Sequence, residues 1–157
     1  MSELRIEKAD FANPQHATAI VKIINAYARE PQGGGKDLPL DVQQRIVPGM
    51  QKVPGAFTML AWMGDKPVGA AICFRGFSTF AGAPLVNVHD LSVLEDYRGQ
   101  GIGSRLLAAV EKCAAEQGCC KVTLEVREVN PEAERLYRRL GYTDPSGFKT
   151  RFLDKPL

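Results

Sequence analysis

The sequence predicts an α/β domain built on a mixed β-sheet. Short apolar runs of strand length alternate with longer segments whose apolar residues recur at helical spacing. Residues 85–126 are predicted to form strand, helix and strand, and strands joined by such a crossover lie parallel in one sheet. A hairpin predicted over residues 56–74 adds antiparallel pairing, so the sheet is expected to contain both kinds of neighbour.

The first half of the chain is predicted to contain a strand, two helices and the hairpin. Residues 4–8 alternate as a strand does, and the pair Asn13-Pro14 is typical of a helix start. Asp41 opens a second helix that extends to about residue 50. The glycine-rich stretch 31–39 between these helices is expected to be a flexible surface loop.

The second half continues the alternation of strands and helices. The apolar run 85–93 leads through a glycine-rich turn into a long helix that ends near Gln117, with Gly118 as its stop signal. A strand over 120–126, a helix over 131–140 and a last strand over 148–153 are predicted to follow. Because no repeat or linker interrupts this order, residues 1–157 are expected to form a single domain.

The composition is that of an ordinary soluble domain, with 45% apolar and 24% charged residues. A net charge of +2 is too small to favour nucleic acid or an anionic membrane as partner. No apolar run approaches the ~18 residues of a membrane helix, and residues 1–11 lack a signal-peptide core. The four cysteines lack metal-binding spacing, so we expect no metal site. We expect them to be buried thiols in a protein of the reducing cytoplasm.

Residues 97–104, Tyr-Arg-Gly-Gln-Gly-Ile-Gly-Ser, join a predicted strand to a helix and predict an anion-binding site. Glycines allow backbone N–H groups to turn inward, and a helix start adds unpaired donors and a partial positive charge. Arg98 adds a full charge and Ser104 a hydroxyl. The dinucleotide pattern fails because Leu106 replaces its third glycine, and the triphosphate loop fails because its lysine is missing.

Residues 98–103 resemble the pyrophosphate-binding motif R/Q-x-x-G-x-G/A of the GNAT superfamily of N-acetyltransferases. Residues 130–142, Asn-Pro-Glu-Ala-Glu-Arg-Leu-Tyr and the Gly-Tyr turn, resemble the family's other characteristic segment, with Ala133 and Tyr137 matching by position. The resemblance implies a GNAT-like fold whose parallel strands splay apart at the cofactor site. It also implies acetyl-CoA as donor, direct transfer of acetyl to an amine, and an ability to form homodimers.

The resemblance also implies roles for individual residues. Val93 N–H is expected to face the acetyl carbonyl, and Tyr137 to protonate the leaving thiolate, with helix packing as its alternative role. Asn130 is expected to contact the pantetheine arm, to cap a helix, or to do both. The expected cofactor-binding residues are Leu91, Ser92, Val93, Arg98, Gly99, Gln100, Gly101, Ile102, Gly103, Ser104 and Asn130.

Three polar residues interrupt the apolar strand that precedes the turn. Strict alternation places Asn87 and His89 on one face of the sheet and Asp90 on the other. His89 is the first choice as catalytic proton acceptor, because histidine exchanges a proton near neutral pH. A plain hydrogen-bonding role is its alternative. Asp90 is the second choice and can instead bind a cationic amine, whereas His16 is expected to be a surface residue.

The acceptor is the least constrained part of the prediction. Residues 77–93 combine aromatic side chains with an acidic strand end, loosely similar to the spermidine/spermine N-acetyltransferase branch. We expect a primary amine of a small molecule, with polyamines, amino acids and aminoglycosides all open. Acetylation of a protein N-terminus or lysine is one alternative, and a non-catalytic acyl-CoA-binding module is another. Tyr137, Asn130 and His89 argue against the module, because a sensor needs neither acid nor base.

Overall fold

The structure is a computed structural model that describes residues 2–157, and the chain divides into two compact units, Met1–Glu125 and Val126–Leu157. Within residues 2–157, no helix combines the length and apolar character that crossing a membrane requires. The first unit contains β1 (Leu4–Lys8), α1 (Pro14–Arg29), α2 (Leu40–Gln51), β2 (Phe57–Met63), β3 (Lys66–Ser78), β4 (Ala83–Val93), α3 (Ile102–Glu116) and β5 (Val122–Leu124). The second unit contains α4 (Pro131–Arg139).

The five strands form one sheet in the order β1-β2-β3-β4-β5. The first four strands pair antiparallel, and β4 pairs parallel with β5. The α/β class, the hairpin and the parallel crossover unit are thereby confirmed. β5 is shorter than the predicted strand 120–126, and its register with β4 runs from Val122 opposite Val86 to Leu124 opposite Val88.

Helices cover both faces of the sheet. α1 and α2 pack on the face that carries Leu60, Ala70 and Ile72. Alternate residues point to the opposite face, where Gly69 lies against Leu106 of α3. A β-carbon at Gly69 would be 3.2 Å from Cδ1 of Leu106, so α3 sits close to the sheet. This packing fixes the start of α3 relative to the end of β4.

The second unit follows its own local signals. The side chain of Asn130 caps α4, because its Oδ1 accepts a hydrogen bond from Ala133 N–H at 3.2 Å. The strand predicted over residues 148–153 is wrong, since those residues adopt no regular structure. Their alternation has the period of a strand, but a strand exists only where a neighbour completes its hydrogen bonds.

Two further expectations need correction. Of the four cysteines, only Cys73 is buried, and Cys120 is exposed, so the thiols do not all act as core residues. His16 is not a surface residue, because only 13% of its side chain is exposed. Its Nδ1 accepts a hydrogen bond from Asp10 N–H at 2.9 Å, and its ring lies 5.9 Å from that of Trp62. The local turn between β1 and α1 therefore holds this histidine against the core.

Candidate functional site

The glycine-rich turn connects β4 to α3 through backbone conformations that favour glycine. Gly99 and Gly101 have φ angles of 73° and 77°, in the left-handed region. A β-carbon at either position would meet no atom within 4 Å, so the requirement is for backbone angle and not for space. The open surroundings leave room for a ligand over the turn.

The start of α3 provides the backbone N–H donors that the sequence predicts beside the glycine-rich turn. α3 begins at Ile102 with Gly101 as its N-cap residue, and no side chain caps that end. Uncapped N–H groups at a helix start attract anions, both as donors and through the helix dipole. Gln100 directs its Nε2 at the Asp96 carbonyl oxygen, 3.4 Å away. The start of α3 thus presents backbone N–H groups at an end that no side chain caps.

Arg98 makes different contacts from those of a free cation at the mouth of the turn. Its Nε–H donates to the carbonyl oxygen of Val93 at 2.9 Å, and its Nη2 pairs with Oε1 of Glu30. Glu30 lies 68 positions earlier in the sequence, at the end of α1. The charge of Arg98 is therefore partly offset by a carboxylate.

A β-bulge in β4 changes which backbone groups face outward. Cys73 and Ile72 are adjacent on β3, but they pair with Val88 and Asp90, so His89 is the extra residue. Before the bulge, Val86 N–H points toward β5 and bonds to the Lys121 carbonyl at 3.1 Å. After the bulge, the even-numbered residues of β4 point their N–H groups toward β3 instead of β5.

Leu94 shows the reversed phase directly, because its N–H points toward β3 and bonds to the Val68 carbonyl at 2.9 Å. The direction of the backbone N–H and C=O groups alternates along a strand, so those of Ser92 also point toward β3. The backbone groups of Leu91 and Val93 point to the opposite side. Of the three residues expected to offer backbone groups, these two point away from β3.

The side that Leu91 and Val93 face is an open edge. Pairing between β4 and β5 ends where Val88 meets Leu124, while β4 continues to Val93. The backbone groups of Leu91 and Val93 therefore have no partner strand on that side within the described residues. This is the splayed arrangement expected at the end of β4, and it leaves the Val93 N–H pointing at the open edge.

The bulge also overturns the expected placement of the polar side chains. Asn87 pairs with Phe74 and Asp90 pairs with Ile72, and these two partners lie two residues apart on β3. Asn87 and Asp90 therefore share a face, so the prediction that they lie on opposite faces is wrong. A single extra residue is enough to reverse the alternation.

The two candidate proton acceptors differ in their surroundings. His89 is exposed, and its ring packs edge-on against Phe74 with 5.5 Å between centroids. Asp90 is exposed as a residue, yet neighbouring protein atoms desolvate its carboxyl group and raise its pKa. The adjacent His89 partly opposes that rise. A raised pKa makes the Asp90 carboxylate a stronger base than an ordinary aspartate.

Asn87 has a structural partner. Its Nδ2 donates to the Thr123 hydroxyl at 3.1 Å and lies 3.4 Å from the Thr123 carbonyl oxygen. The side chain thus joins β4 to β5 just before the two strands separate. This contact explains a polar residue in that position without a direct catalytic role.

In the second unit, Tyr137 and Asn130 lie on or beside α4. Tyr137 is buried, with 8% of its surface exposed, and its ring packs edge-on against Tyr142 with 6.1 Å between centroids. Asn130 performs the capping role that was one of its two expected roles. Packing of Tyr137 is likewise observed, and a chemical role is compatible with it.

Sequence reasoning missed Glu30 and the bulge at His89. Glu30 carries no motif, and its partner Arg98 is distant in sequence, so only the folded chain brings them together. The bulge leaves a weak signal, namely two consecutive polar residues, His89 and Asp90, inside an apolar strand.

Comparison with known proteins gives a family match over most of the chain. The sequence model of the acetyltransferase (GNAT) family matches residues 20–142. The chain is 36% identical over 81 residues to thialysine N-epsilon-acetyltransferase of Bos taurus, covering 52% of this chain and 47% of that protein. It is 40% identical over 85 residues to N-alpha-acetyltransferase MAK3 of Arabidopsis thaliana, covering 53% and 43%. The chain thus spans about half the length of these curated relatives.

Solved structures share the fold. Aminoglycoside N-acetyltransferase AAC(6′)-Iy in complex with CoA superimposes with a TM-score of 0.79 at 18% identity, covering 100% of this chain and 97% of that one. At this identity the similarity shows a common fold.

Proposed function

The chain belongs to the acetyltransferase (GNAT) family, and we propose that it transfers the acetyl group of acetyl-CoA directly to a primary amine of a small molecule. The observation that carries the proposal is the pairing of two features in one place. The uncapped start of α3 offers donors for phosphate, and the end of β4 beside it exposes the Val93 N–H at an open edge.

Binding of the donor uses mainly backbone groups. Gly99 and Gly101 shape the turn. The pyrophosphate is held by the N–H groups of Ile102 and Gly103 and by the adjacent residue Gln100 of the turn. Ser104 belongs to the same first turn of α3. Leu91 and Val93 offer backbone groups to the acyl end of the donor, whereas Ser92 supports them by pairing with β3.

The chemistry needs three proton or charge events. The acceptor ammonium must lose a proton before its nitrogen attacks, and Asp90 accepts it, with His89 as the second choice. The attacked carbonyl oxygen gains negative charge, which the Val93 N–H stabilises. The carbon–sulfur bond then breaks as the carbonyl re-forms, and the departing thiolate takes the proton of the Tyr137 hydroxyl, which is replaced by the second proton that the newly bonded nitrogen must lose to become an amide. The last assignment rests on the sequence motif that contains Tyr137.

Asp90 moves ahead of His89 in this proposal for a physical reason. Its raised pKa makes it a better proton acceptor than a fully solvated aspartate, and its negative charge attracts a cationic amine.

Asn130 is assigned to the cap of α4 and, by the motif, to the pantetheine arm. A single catalytic domain over residues 1–157, a cytoplasmic location and a homodimer remain parts of the proposal.

Relatives support a small amine without fixing which one. The bovine relative is named for the epsilon nitrogen of thialysine, and the structural neighbour is named an aminoglycoside N-acetyltransferase. The Arabidopsis relative is named for N-alpha-acetylation, which supports protein N-termini as the second candidate.

The test is thiol release from acetyl-CoA across a panel of acceptors, with mass spectrometry of the acetylated product. The panel contains polyamines, amino acids including thialysine, aminoglycosides and peptides with free N-termini. Turnover of a small amine supports the proposal, and turnover of peptides alone favours the second candidate. CoA binding in calorimetry without thiol release from any acceptor would instead identify an acyl-CoA-binding module.

A further inference from the structure

We infer that Glu30 and Arg98 form a strut that positions the end of β4, and that Arg98 acts through Val93 rather than as a ligand of the donor's phosphates. The inference deepens the proposed function and rests on it. Arg98 Nε–H donates to the Val93 carbonyl oxygen at 2.9 Å while its Nη2 pairs with Glu30. One guanidinium thus ties the end of α1 to the last residue of β4.

Val93 is where this tie affects the chemistry. The N–H and C=O groups of one strand residue leave the strand on the same side. Arg98 therefore binds Val93 on the open edge, where no strand partner holds the backbone in place. Holding the Val93 carbonyl restricts rotation at Val93 and complements the pairing of Ser92 with β3, so together they limit movement of the Val93 N–H, the proposed donor to the acetyl oxygen.

Glu30 is itself held in place by its backbone. Its carbonyl oxygen accepts hydrogen bonds from Gly33 N–H and Gly35 N–H, each at 2.9 Å, and its own N–H donates to the Tyr27 carbonyl at 3.0 Å. A side chain on such an anchored backbone can serve as a fixed point. The stretch 31–39, expected to be a flexible surface loop, lies between α1 and α2 and begins with this hydrogen-bonded turn.

The three consecutive glycines build that turn. A β-carbon at Gly33 would lie 2.1 Å from the Tyr27 carbonyl oxygen, so no larger residue fits there without movement. Gly34 and Gly35 have φ angles of 116° and 74°, which other residues rarely adopt. The glycine run therefore allows the turn in which two N–H groups bond to the Glu30 carbonyl.

The Arg98–Glu30 ion pair orients the end of β4 more than it stabilises the fold. The side chains of Arg98 and Glu30 are 41% and 31% exposed, and ion pairs in such positions contribute only about 0–1 kcal/mol to stability. A guanidinium, however, presents its donors in a rigid planar fork and can fix two acceptors at once. Catalytic donors need positions held within about 0.5 Å, so a directional contact at Val93 is worth more to turnover than to folding.

Phosphate recognition does not require the charge of Arg98. Glu30 already offsets that charge, and the N–H groups at the start of α3 supply donors of their own. The structure therefore separates two tasks within residues 98–104. The glycines and the helix start bind the anion, and Arg98 holds the strand that precedes them.

The kinetic test compares two donors in Glu30→Gln and Arg98→Gln. Acetyl-CoA carries the pyrophosphate, and acetyl-pantetheine lacks it. A strut predicts that each variant lowers kcat by about tenfold with both donors, because the defect lies at the acetyl end. A loss confined to acetyl-CoA, or a gain in CoA affinity in Glu30→Gln, would overturn the inference and make Arg98 a phosphate ligand.

Two further variants sharpen the result. Arg98→Lys keeps the charge without the fork, so the strut predicts that it restores less than half of the lost kcat. The double variant Glu30→Gln/Arg98→Gln should be no worse than either single change, because the residues act as a unit. Additive losses would show two independent roles. Asp41→Asn, which breaks an exposed pair with Arg45 on α2 at 2.9 Å, is the matched control and should leave kcat unchanged.

A measurement on the free protein makes the inference independent of turnover. Hydrogen–deuterium exchange of the peptide covering residues 92–98 should become severalfold faster in Glu30→Gln and stay unchanged in Asp41→Asn. Unchanged exchange in Glu30→Gln would overturn the strut. If wild-type protein acetylates no amine, the proposed function fails, and this exchange experiment still decides whether Glu30 positions β4.

Discussion

Asn87 and Asp90 project from the same face of the β-sheet, although a regular strand would place them on opposite faces. The cause is the extra residue, His89, which reverses the phase of β4. The same reversal points the backbone groups of Val93 to the open edge of β4, past the end of its pairing with β5, and those of Ser92 toward β3. One bulge therefore decides both which side chains flank the site and which backbone groups enter it.

Deleting His89 should harm catalysis more than removing its side chain. The deletion restores regular alternation and turns the Val93 N–H toward β3, so kcat should fall by about 10²-fold or more, the usual cost of losing an oxyanion donor. His89→Ala keeps the residue count and the bulge, and we expect a loss of at most about tenfold. Steady-state kinetics measure both, and circular dichroism confirms that the variants fold. Equal losses would show that the imidazole, and not the bulge, matters.

Asp90→Asn should lower activity and raise stability. The variant cannot accept a proton, so the acidic limb of the kcat/KM profile, where protonation of Asp90 stops wild-type turnover, should disappear together with most of the activity. That limb should lie at a higher pH than for an ordinary aspartate, because desolvation raises the pKa of Asp90. A wild-type limb that persists in Asp90→Asn would assign the proton to another group.

The stability effect has a definite sign. The native pKa of Asp90 is above its unfolded value, so the native state holds the proton more tightly, and stability falls as pH rises from about 3.9 through the native pKa. Asp90→Asn removes this loss. Urea denaturation should therefore find the variant more stable than wild type at about pH 7 and equal to it at about pH 3.

Sequence patterns predicted what short-range chemistry determines. The Asn-Pro start of α1, the glycine turn at Gly99 and Gly101 and the cap at Asn130 depend on neighbours within a few residues. The strand over 148–153 failed because alternation does not supply a pairing partner. Glu30 could not be found because its contact with Arg98 exists only after α1 packs on the sheet that contains β4.

Tyr137→Phe tests the proposed general acid. Phenylalanine keeps the ring and its contact with Tyr142, so the fold should be retained. Loss of the hydroxyl should lower kcat by about 10²-fold while CoA affinity, measured by calorimetry, stays within about twofold. Tyr142→Phe is the matched control on the other ring of the pair, and a loss of similar size there would assign the effect to packing.

The cysteines should differ in reactivity, which also affects thiol-release assays. Burial raises the pKa of the Cys73 thiol to about 12, with a smaller contribution from Cys113, whereas Cys120 is exposed. At neutral pH, iodoacetamide should label Cys120 in the native protein and leave Cys73 unmodified until the protein is unfolded. Peptide mass spectrometry distinguishes the two sites. Labelling of Cys73 at the rate of Cys120 would show that the sheet opens at β3.

Gly33→Ala should weaken both folding and turnover, because Gly33 lets the chain pass close to the end of α1. Its β-carbon would lie 2.1 Å from a backbone oxygen, that of Tyr27, and backbone cannot rotate away as a side chain can. We expect a loss of about 1–3 kcal/mol in the free energy of unfolding.

The matched control for this change is Gly49→Ala in α2. A β-carbon at Gly49 meets no atom within 4 Å, and alanine in a helix should raise the free energy of unfolding by about 0.5–1 kcal/mol. Urea denaturation at neutral pH measures both changes. Because Gly33 N–H bonds to the Glu30 carbonyl, Gly33→Ala should also reproduce the lowered kcat of Glu30→Gln under conditions in which the variant remains folded. A folded Gly33→Ala enzyme with wild-type kcat would show that the position of Glu30 does not depend on the glycine turn.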